Sequence, residues 1–184
     1  MILVVSGISG VGKDEIIRQL VAHCGFRRYP AYTTRSARTG EQHGIDYRFV
    51  NDAEMDALLE RNDVLDLLTL SGNRYASPMS DFRTLADTKE DVVIHLAPYA
   101  AGQLRKAVSG VFCVYVLPPT IKILRDRLQR RRATEQEVSQ RFDLDPARCI
   151  DVLSFDLFVV NEEGRQLDAA RYIAQEARCQ HSTT

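Results

Sequence analysis

Four short apolar runs recur along the chain, and each gives way to a turn signal or a polar stretch. They cover residues 2–5, 92–94, 111–117 and 157–160. Uninterrupted apolar runs of this length are typical of strands buried on both faces of a parallel sheet. Helical periodicity between the runs predicts an α/β fold, with a parallel sheet covered by helices on both faces.

The first helix should begin directly after the first strand. Its predicted buried face consists of Ile16, Ile17, Leu20 and Val21. A second helix should be capped by Asn51 or Asp52 and bury Met55, Leu58 and Leu59. Further helical patterns cover about 120–131, 134–142 and 165–178, and the tail from residue 180 is expected to fray.

Residues 32–90 break this alternation of strands and helices. They include strand-like segments at 47–50 and 64–70, and the turn signal Ser71-Gly72-Asn73 follows the second segment. We interpret the segment as an inserted α+β subdomain within a single domain.

Composition narrows the class of protein. The chain has 184 residues, of which 45% are apolar and 27% charged, and its net charge of −1 argues against a general nucleic-acid binder. No apolar segment approaches the length of a membrane span, and the N-terminal run lacks the basic leader of a signal peptide. Because Cys24, Cys113, Cys149 and Cys179 match no disulfide or zinc spacing, free thiols and a cytoplasmic location are predicted.

A glycine-rich phosphate loop follows the first strand, with the spacing G-x-x-x-x-G-K. Glycines allow successive backbone N–H groups to face phosphate oxygens, and the helix that begins there adds its positive dipole end. The pattern predicts an ATP site. Its residues are Gly7, Ser9, Gly10, Val11, Gly12, Lys13 and Asp14.

Asp14 departs from the usual form of this loop. A hydroxyl normally follows the lysine and binds magnesium (Mg2+), whereas a carboxylate adds negative charge beside the phosphates. Because a carboxylate also ligates magnesium, directly or through water, we expect Asp14 to be the metal ligand.

A second anion site is predicted in residues 32–50. Arg35 and Arg38 are three residues apart, and hydroxyl groups and Tyr47 accompany them. Arginine forks bind phosphate in bidentate fashion, so this pattern suits a phosphate-monoester acceptor; taken alone, it also fits a solvated basic loop.

This segment resembles the guanylate kinase family. Residues 33–50 meet the family pattern T-T-R-x-x-R-x-G-E-x-x-G-x-D-Y-x-F-V at every fixed position, and residues 72–77, 117–119, 127–131 and 159–161 resemble further family segments. The resemblance implies a P-loop kinase with a five-stranded parallel core, an acceptor-binding subdomain and a helical lid. The implied division is a core of 1–31, 91–128 and 151–180, a subdomain of 32–90 and a lid of 129–150.

The resemblance also implies site residues. Lys13, with Arg131 and Arg141 of the lid, would be catalytic, and Asn161 would join the ATP site. The residues implied for acceptor binding are Arg35, Arg38, Glu41, Tyr47, Asp66, Tyr75, Ser77 and His95. Glu41 would brace the arginines, while Asp66 and Ser77 would meet the base. His95 has a second interpretation, as a strand-end histidine satisfied by backbone groups.

Several positions depart from the family pattern near the base. Ala31 replaces a serine, Asp66 a glutamate and Ala76 a glycine, and His95-Leu96-Ala97 replaces a D-x-D pair. Because unpaired buried polar groups cost about 1–3 kcal/mol, the loss of several base partners should weaken guanine selectivity or indicate another acceptor.

The predicted function is transfer of the γ-phosphoryl group of ATP, with magnesium, to (d)GMP or a related nucleoside monophosphate. One alternative is another acceptor, such as a modified nucleotide or a sugar phosphate of the ribose 1,5-bisphosphate type, since related sugar-phosphate kinases share the G-K-D loop. A non-catalytic protein-binding module is disfavoured because Lys13, Arg131 and Arg141 remain. The expected partners are nucleotides, without nucleic acid or membrane, and the chain is expected to be a monomer or homodimer.

Overall fold

The structure, a computed structural model, describes residues 1–61, 63–70, 72–88, 90–130 and 154–181. Its larger sheet has five parallel strands in the order β2-β7-β1-β8-β9. These strands are β1 (Ile2–Gly7), β2 (Arg27–Arg28), β7 (Val92–His95), β8 (Val111–Leu117) and β9 (Leu157–Val160). The predicted parallel α/β architecture is therefore confirmed.

The four apolar runs form four of these five strands. In β1, Leu3 and Val5 face one layer of the core, while Ile2 and Val4 face the other. Burial on both faces explains why the runs show no polar alternation. The sequence did not predict β2, whose two residues are arginines at the edge of the sheet.

Helices cover both faces of this sheet. Their bounds are α1 (Lys13–His23), α2 (Asp52–Glu60), α3 (Met79–Ala86), α4 (Pro98–Ala107), α5 (Ile121–Arg130) and α6 (Gln166–His181). On one face, α1 packs beside α6, and the core of the other face includes Leu104 of α4 and Phe82 of α3. No helix in the described part of the chain has both the length and the apolarity needed to cross a bilayer.

Two helix predictions need correction. Val21 was expected on the buried face of α1, but it is 40% exposed, whereas Ile16, Ile17 and Leu20 are buried. The last helix continues to His181, so the expected fraying is wrong at residues 180 and 181, and residues 182–184 lie outside the described residues. The predicted helix over 134–142 lies outside the described residues.

A smaller sheet is formed within residues 32–90, in the order β4-β3-β6-β5. Its strands are β3 (Tyr32–Thr33), β4 (Arg48–Phe49), β5 (Val64–Leu70) and β6 (Asn73–Pro78). Strand β5 coincides with the predicted 64–70 segment, whereas β4 is shorter than the predicted 47–50. The sequence did not predict β6 and α3, whose residues lack a clear period. Mixed strand directions confirm that this segment departs from the parallel core.

The predicted cap of α2 is Asn51. Its side chain accepts a hydrogen bond from the N–H of Glu54 at 2.8 Å, and the Glu54 carboxylate accepts from the N–H of Asn51 at 2.8 Å. This reciprocal capping box satisfies two backbone donors at the start of the helix. Met55 is then fully buried, as predicted.

Of the four cysteines, Cys24, Cys113 and Cys179 are free thiols, as predicted. Cys149 lies outside the described residues, as does almost all of the predicted lid.

Substitution of the cap provides a test of this local structure. Asn51→Ala should lower the free energy of unfolding by about 1 kcal/mol, because the N–H of Glu54 loses its acceptor. Urea unfolding at neutral pH measures the change. Glu60→Ala, at an exposed position of the same helix, is the control and should change stability by no more than about 0.5 kcal/mol. Equal effects of the two substitutions would contradict the capping role.

Candidate active site

The phosphate loop connects the carboxyl end of β1 to the first turn of α1. Gly12, the N-cap of α1, has a φ of 97°, and no side chain caps the helix. The positive end of this helix therefore suits an anionic ligand. Gly7 lies so close to β8 that a Cβ atom would be 2.5 Å from the carbonyl oxygen of Val116. This approach requires glycine.

Two side chains hold the loop from beneath through one backbone carbonyl. The Asn161 amide donates to the carbonyl oxygen of Val11 at 2.7 Å, and Arg127 donates to the same oxygen at 3.0 Å. Arg127 also donates to the carbonyl of Asn161 at 3.2 Å. Asn161 is only 1% exposed, so its predicted part in ATP binding includes support of the loop. The sequence assigned no such support to Arg127.

The position of Asn161 also requires a glycine at position 12 of the loop. A Cβ atom on Gly12 would lie 2.4 Å from the Asn161 amide nitrogen. The carbonyl oxygen of the Asn161 side chain is buried and has no hydrogen-bond partner within the described ranges. A polar atom without a partner in this position is consistent with a binding site.

Lys13 is buried in the loop that it serves. Only 8% of the residue is exposed, and its Nζ donates to the carbonyl oxygens of Gly7 at 2.5 Å and Ile8 at 2.9 Å. The ammonium group therefore lies on the loop itself. This is where a loop-bound phosphate would meet it.

Asp14 begins the exposed side of α1. Its carboxylate is 62% exposed and lies 4.0 Å from the guanidinium of Arg28. The described part of the chain contains no cluster of three or more histidine, cysteine or acidic residues that could enclose a metal ion. A single exposed carboxylate beside a phosphate loop suits magnesium, which retains waters and binds substrate phosphates.

Glu41 lies at the centre of the residues predicted to hold the acceptor phosphate, which we call the clamp: Arg35, Arg38, Glu41, Tyr47 and Tyr75. Its carboxylate accepts two hydrogen bonds from the Arg35 guanidinium, both at 2.9 Å, and one from the backbone N–H of Arg38 at 2.8 Å. Desolvation would raise the pKa of Glu41, but these donors outweigh it and hold the pKa below its ordinary value. The carboxylate therefore stays charged and fixes the Arg35 fork.

Two tyrosines complete the clamp. Tyr47 and Tyr75 meet edge to face with ring centroids 6.0 Å apart, and the Arg35 guanidinium lies 5.4 Å from the Tyr47 ring centroid. Burial would lower the pKa of the Arg35 guanidinium, but the hydrogen bonds that it donates to Glu41 and to Tyr75 raise it. Four predicted acceptor residues thus lie together. The exposed Arg38 reaches Glu41 through its backbone N–H.

Asp66 and Ser77 are cross-strand neighbours on β5 and β6. Ser77 is 3% exposed, and one carboxylate oxygen of Asp66 accepts a long hydrogen bond of 3.4 Å from the N–H of Ala97. Burial raises the pKa of Asp66, and the bond from Ala97 offsets this only in part. Ala31 and Ala97 offer no side-chain donors or acceptors.

His95 lies at the carboxyl end of β7, beside the phosphate loop. Desolvation and the positive charges of Lys13 and Arg28 lower the pKa of His95, while Asp14 has the opposite effect. Because the residue as a whole keeps contact with solvent, the charges of Lys13 and Arg28 contribute to the lowered pKa of His95 alongside desolvation. A neutral imidazole follows at physiological pH.

The structure brings the loop, the clamp and His95 close together, with Arg28, which the sequence did not single out, among them. We call the space between the loop and the clamp the cleft. The only sequence signal for Arg28 was an arginine pair shortly after α1. The predicted catalytic Arg131 and Arg141 lie outside the described residues.

Comparison with known proteins identifies the family that the sequence matches. A sequence model of the guanylate kinase family matches residues 1–174. The chain is similar to the guanylate kinase of Neisseria meningitidis serogroup A, with 32% identity over 98% of this chain and 90% of the relative. It is similar to that of Thermobifida fusca, with 35% identity over 86% of this chain and 82% of the relative.

The fold is similar to that of solved kinase structures. The guanylate kinase from Anaplasma phagocytophilum superposes with a TM-score of 0.68 and 21% identity, covering 98% of this chain and 86% of that chain. A gluconokinase from Sinorhizobium meliloti gives a TM-score of 0.51 and 14% identity, covering 98% of this chain and 93% of that chain. Likeness at such identities shows a shared fold alone.

The raised pKa of Asp66 predicts a pH-dependent effect on stability. The pKa of this carboxyl is above its unperturbed 3.8 in the folded state. As pH rises from 3.8 through the raised pKa, ionisation of the buried carboxyl destabilises the fold. Asp66→Asn removes the charge, so this variant should be more stable than the parent at pH 7. The gain should shrink as pH falls towards 4, because the folded-state carboxyl takes up a proton and becomes neutral like the asparagine amide.

Urea unfolding across that pH range measures this effect. Asp87→Asn, the same change at an exposed residue, is the control and should show no such trend. A gain for Asp66→Asn that is independent of pH would contradict the role assigned to burial.

Proposed function

Because this chain belongs to the guanylate kinase family, we propose that it transfers the γ-phosphoryl group of ATP to GMP or dGMP and forms the corresponding diphosphate. The observation that carries this proposal is the coexistence, in one cleft, of a complete phosphate loop and the Arg35–Glu41 clamp. Family relatives named guanylate kinase favour a nucleotide acceptor over a sugar phosphate, and the retained Lys13 disfavours a non-catalytic module.

The loop would bind the donor. Its backbone N–H groups and the positive end of α1 suit the phosphates of ATP, and Lys13 adds a full positive charge. Asp14 is the residue that would hold magnesium. When bound, magnesium supplies positive charge that offsets the charge of the phosphates.

The clamp would bind the acceptor phosphate. Arg35 presents its planar fork beside Tyr47 and Tyr75, and Glu41 prevents it from rotating. Arg38 would add a second guanidinium. A phosphate held here faces the loop across the cleft, as in-line transfer requires.

Asp66 and Ser77 would meet the base at the far end of the acceptor. The alanines at positions 31 and 97 remove two polar partners expected from the family pattern, and His95 contributes an imidazole in their place. We expect GMP to remain the best acceptor, with less discrimination against other bases than a full set of partners would give.

Phosphoryl transfer leaves little covalent chemistry to the protein, so alignment and charge neutralisation account for catalysis. Arg131 and Arg141 stay predictions: a lid over 129–150 would bring them to the transferring group and exclude water. We expect a cytoplasmic location, nucleotide substrates without a nucleic-acid partner, and a monomer or homodimer.

An acceptor panel tests the proposal. The protein is incubated with magnesium, ATP and one phosphate monoester at a time, and ADP release is measured. GMP and dGMP should give the highest kcat/KM, followed by other nucleoside monophosphates and then by sugar phosphates such as ribose 1,5-bisphosphate. If a sugar phosphate is a good acceptor while GMP and dGMP are poor, the guanylate assignment is wrong.

Lys13 provides the matching test of the donor site. Lys13→Ala should lower kcat by about 100-fold to 1000-fold, because the transition state loses a preorganised positive charge. Circular dichroism should show an unchanged fold. Lys106→Ala, at an exposed position of α4, is the control and should retain full activity. Near-normal turnover by the Lys13 variant would refute the mechanism.

A further inference from the structure

Strand β2 directs its two arginines to different surroundings. Arg27 is 53% exposed at its side chain and forms a double hydrogen bond with the Glu90 carboxylate, at 2.7 and 3.0 Å. Arg28 follows it, and only 23% of its side chain is exposed. Because successive residues of a strand point to opposite sides, Arg27 points away from the cleft, whereas Arg28 enters it.

Arg28 lies between the donor loop and the acceptor clamp. Its guanidinium is 4.0 Å from the Asp14 carboxylate and 5.6 Å from the ring centroid of Tyr47. The guanidinium of Arg35 lies 5.4 Å from the centroid of the same ring. Two arginines therefore flank one aromatic ring, one on the side of the loop and one within the clamp.

The contact with Asp14 leaves Arg28 able to bind a ligand. At 4.0 Å, the two groups attract each other electrostatically but do not form a direct hydrogen bond. A guanidinium carries five N–H donors in a fixed fork, which suits phosphate oxygens. Among the described residues, no acceptor forms a hydrogen bond with the Arg28 guanidinium, so this largely shielded cation is available to a ligand.

The need for this cation follows from Asp14. A carboxylate in place of the usual hydroxyl adds one negative charge where the phosphates of ATP are expected, and repulsion between like charges weakens binding. Among the described residues, Arg28 is the cation that forms an ion pair with Asp14. The two side chains therefore act as a pair, with Arg28 offsetting the charge that Asp14 introduces.

The geometry points to Arg28 as an additional residue of the reaction: it contacts the phosphoryl group at the junction of donor and acceptor, and its contribution depends on Asp14. This inference rests on the proposed phosphoryl transfer. It predicts that substitutions of Arg28 and Asp14 are not independent in their effects.

A double-mutant cycle tests this dependence by activity. Arg28→Ala should lower kcat with ATP and GMP by about 100-fold when Asp14 is present, and by about tenfold or less in the Asp14→Ser background. Arg27→Ala, the neighbouring arginine outside the cleft, is the matched control and should change kcat by less than about twofold. Equal losses in both backgrounds, or equal effects of the two arginine variants, would overturn the inference.

Nucleotide binding gives a second measurement that does not depend on turnover or on magnesium. Calorimetric titration with ADP in EDTA should show affinity about tenfold weaker for Arg28→Ala, but less than about twofold weaker when Asp14→Ser is also present. Arg28→Lys, which retains the charge, should bind ADP within about threefold of the parent while remaining slow in turnover.

These two measurements separate the inference from the proposed function. If the parent protein binds ADP but does not phosphorylate GMP, the proposed function fails, and the binding cycle still decides whether Arg28 and Asp14 are coupled. Independent effects on ADP affinity would overturn the coupling even in an active kinase. If Arg28→Ala unfolds, Arg28→Gln, which preserves most of the side-chain volume, takes its place in both cycles.

Discussion

The carbonyl oxygen of Val11 is the point on which the phosphate loop depends. It accepts hydrogen bonds from Asn161 at the end of β9 and from Arg127 in α5. With this carbonyl held beneath the loop, the backbone around it keeps the shape that leaves N–H groups available to phosphate. Gly12 must lack a Cβ atom for the Asn161 amide to come so close. Residues more than 110 positions apart in sequence therefore form one structural unit.

The order of strands accounts for the rest of the cleft. Because β2, β7 and β1 are adjacent and parallel, their carboxyl ends deliver Arg28, His95 and Gly7 to one edge of the sheet. The smaller sheet supplies residues of the acceptor site, including Tyr75 on β6. The N–H of Ala97 and the carboxylate of Asp66 connect the two sheets close to the expected base.

Sequence patterns predicted the parts of this structure that local physics determines. Strands buried on both faces, such as β1 and β8, stand out as apolar runs, and the cap at Asn51 follows from side-chain chemistry. Strand β2 could not be predicted in this way, because its pairing with β7 is a long-range contact between charged edge residues and a buried strand. The contact of Arg127 with the carbonyl of Val11 could not be predicted either, because it too joins residues far apart in the sequence. The long motif at residues 33–50 predicted most of the clamp. The structure adds the contacts between its residues, such as the hydrogen bonds from Arg35 to Glu41.

Lys13 already has hydrogen-bond acceptors in the carbonyl groups of Gly7 and Ile8. An ammonium group has three N–H donors, so these two carbonyl oxygens fix its position on the loop without neutralising its positive charge. A phosphate therefore gains the attraction between opposite charges, whereas a neutral oxygen offers no advantage over a carbonyl. The loop therefore holds a positive charge at a fixed place, where a negatively charged ligand is favoured. It selects against uncharged molecules of similar shape before any contact with the base is made.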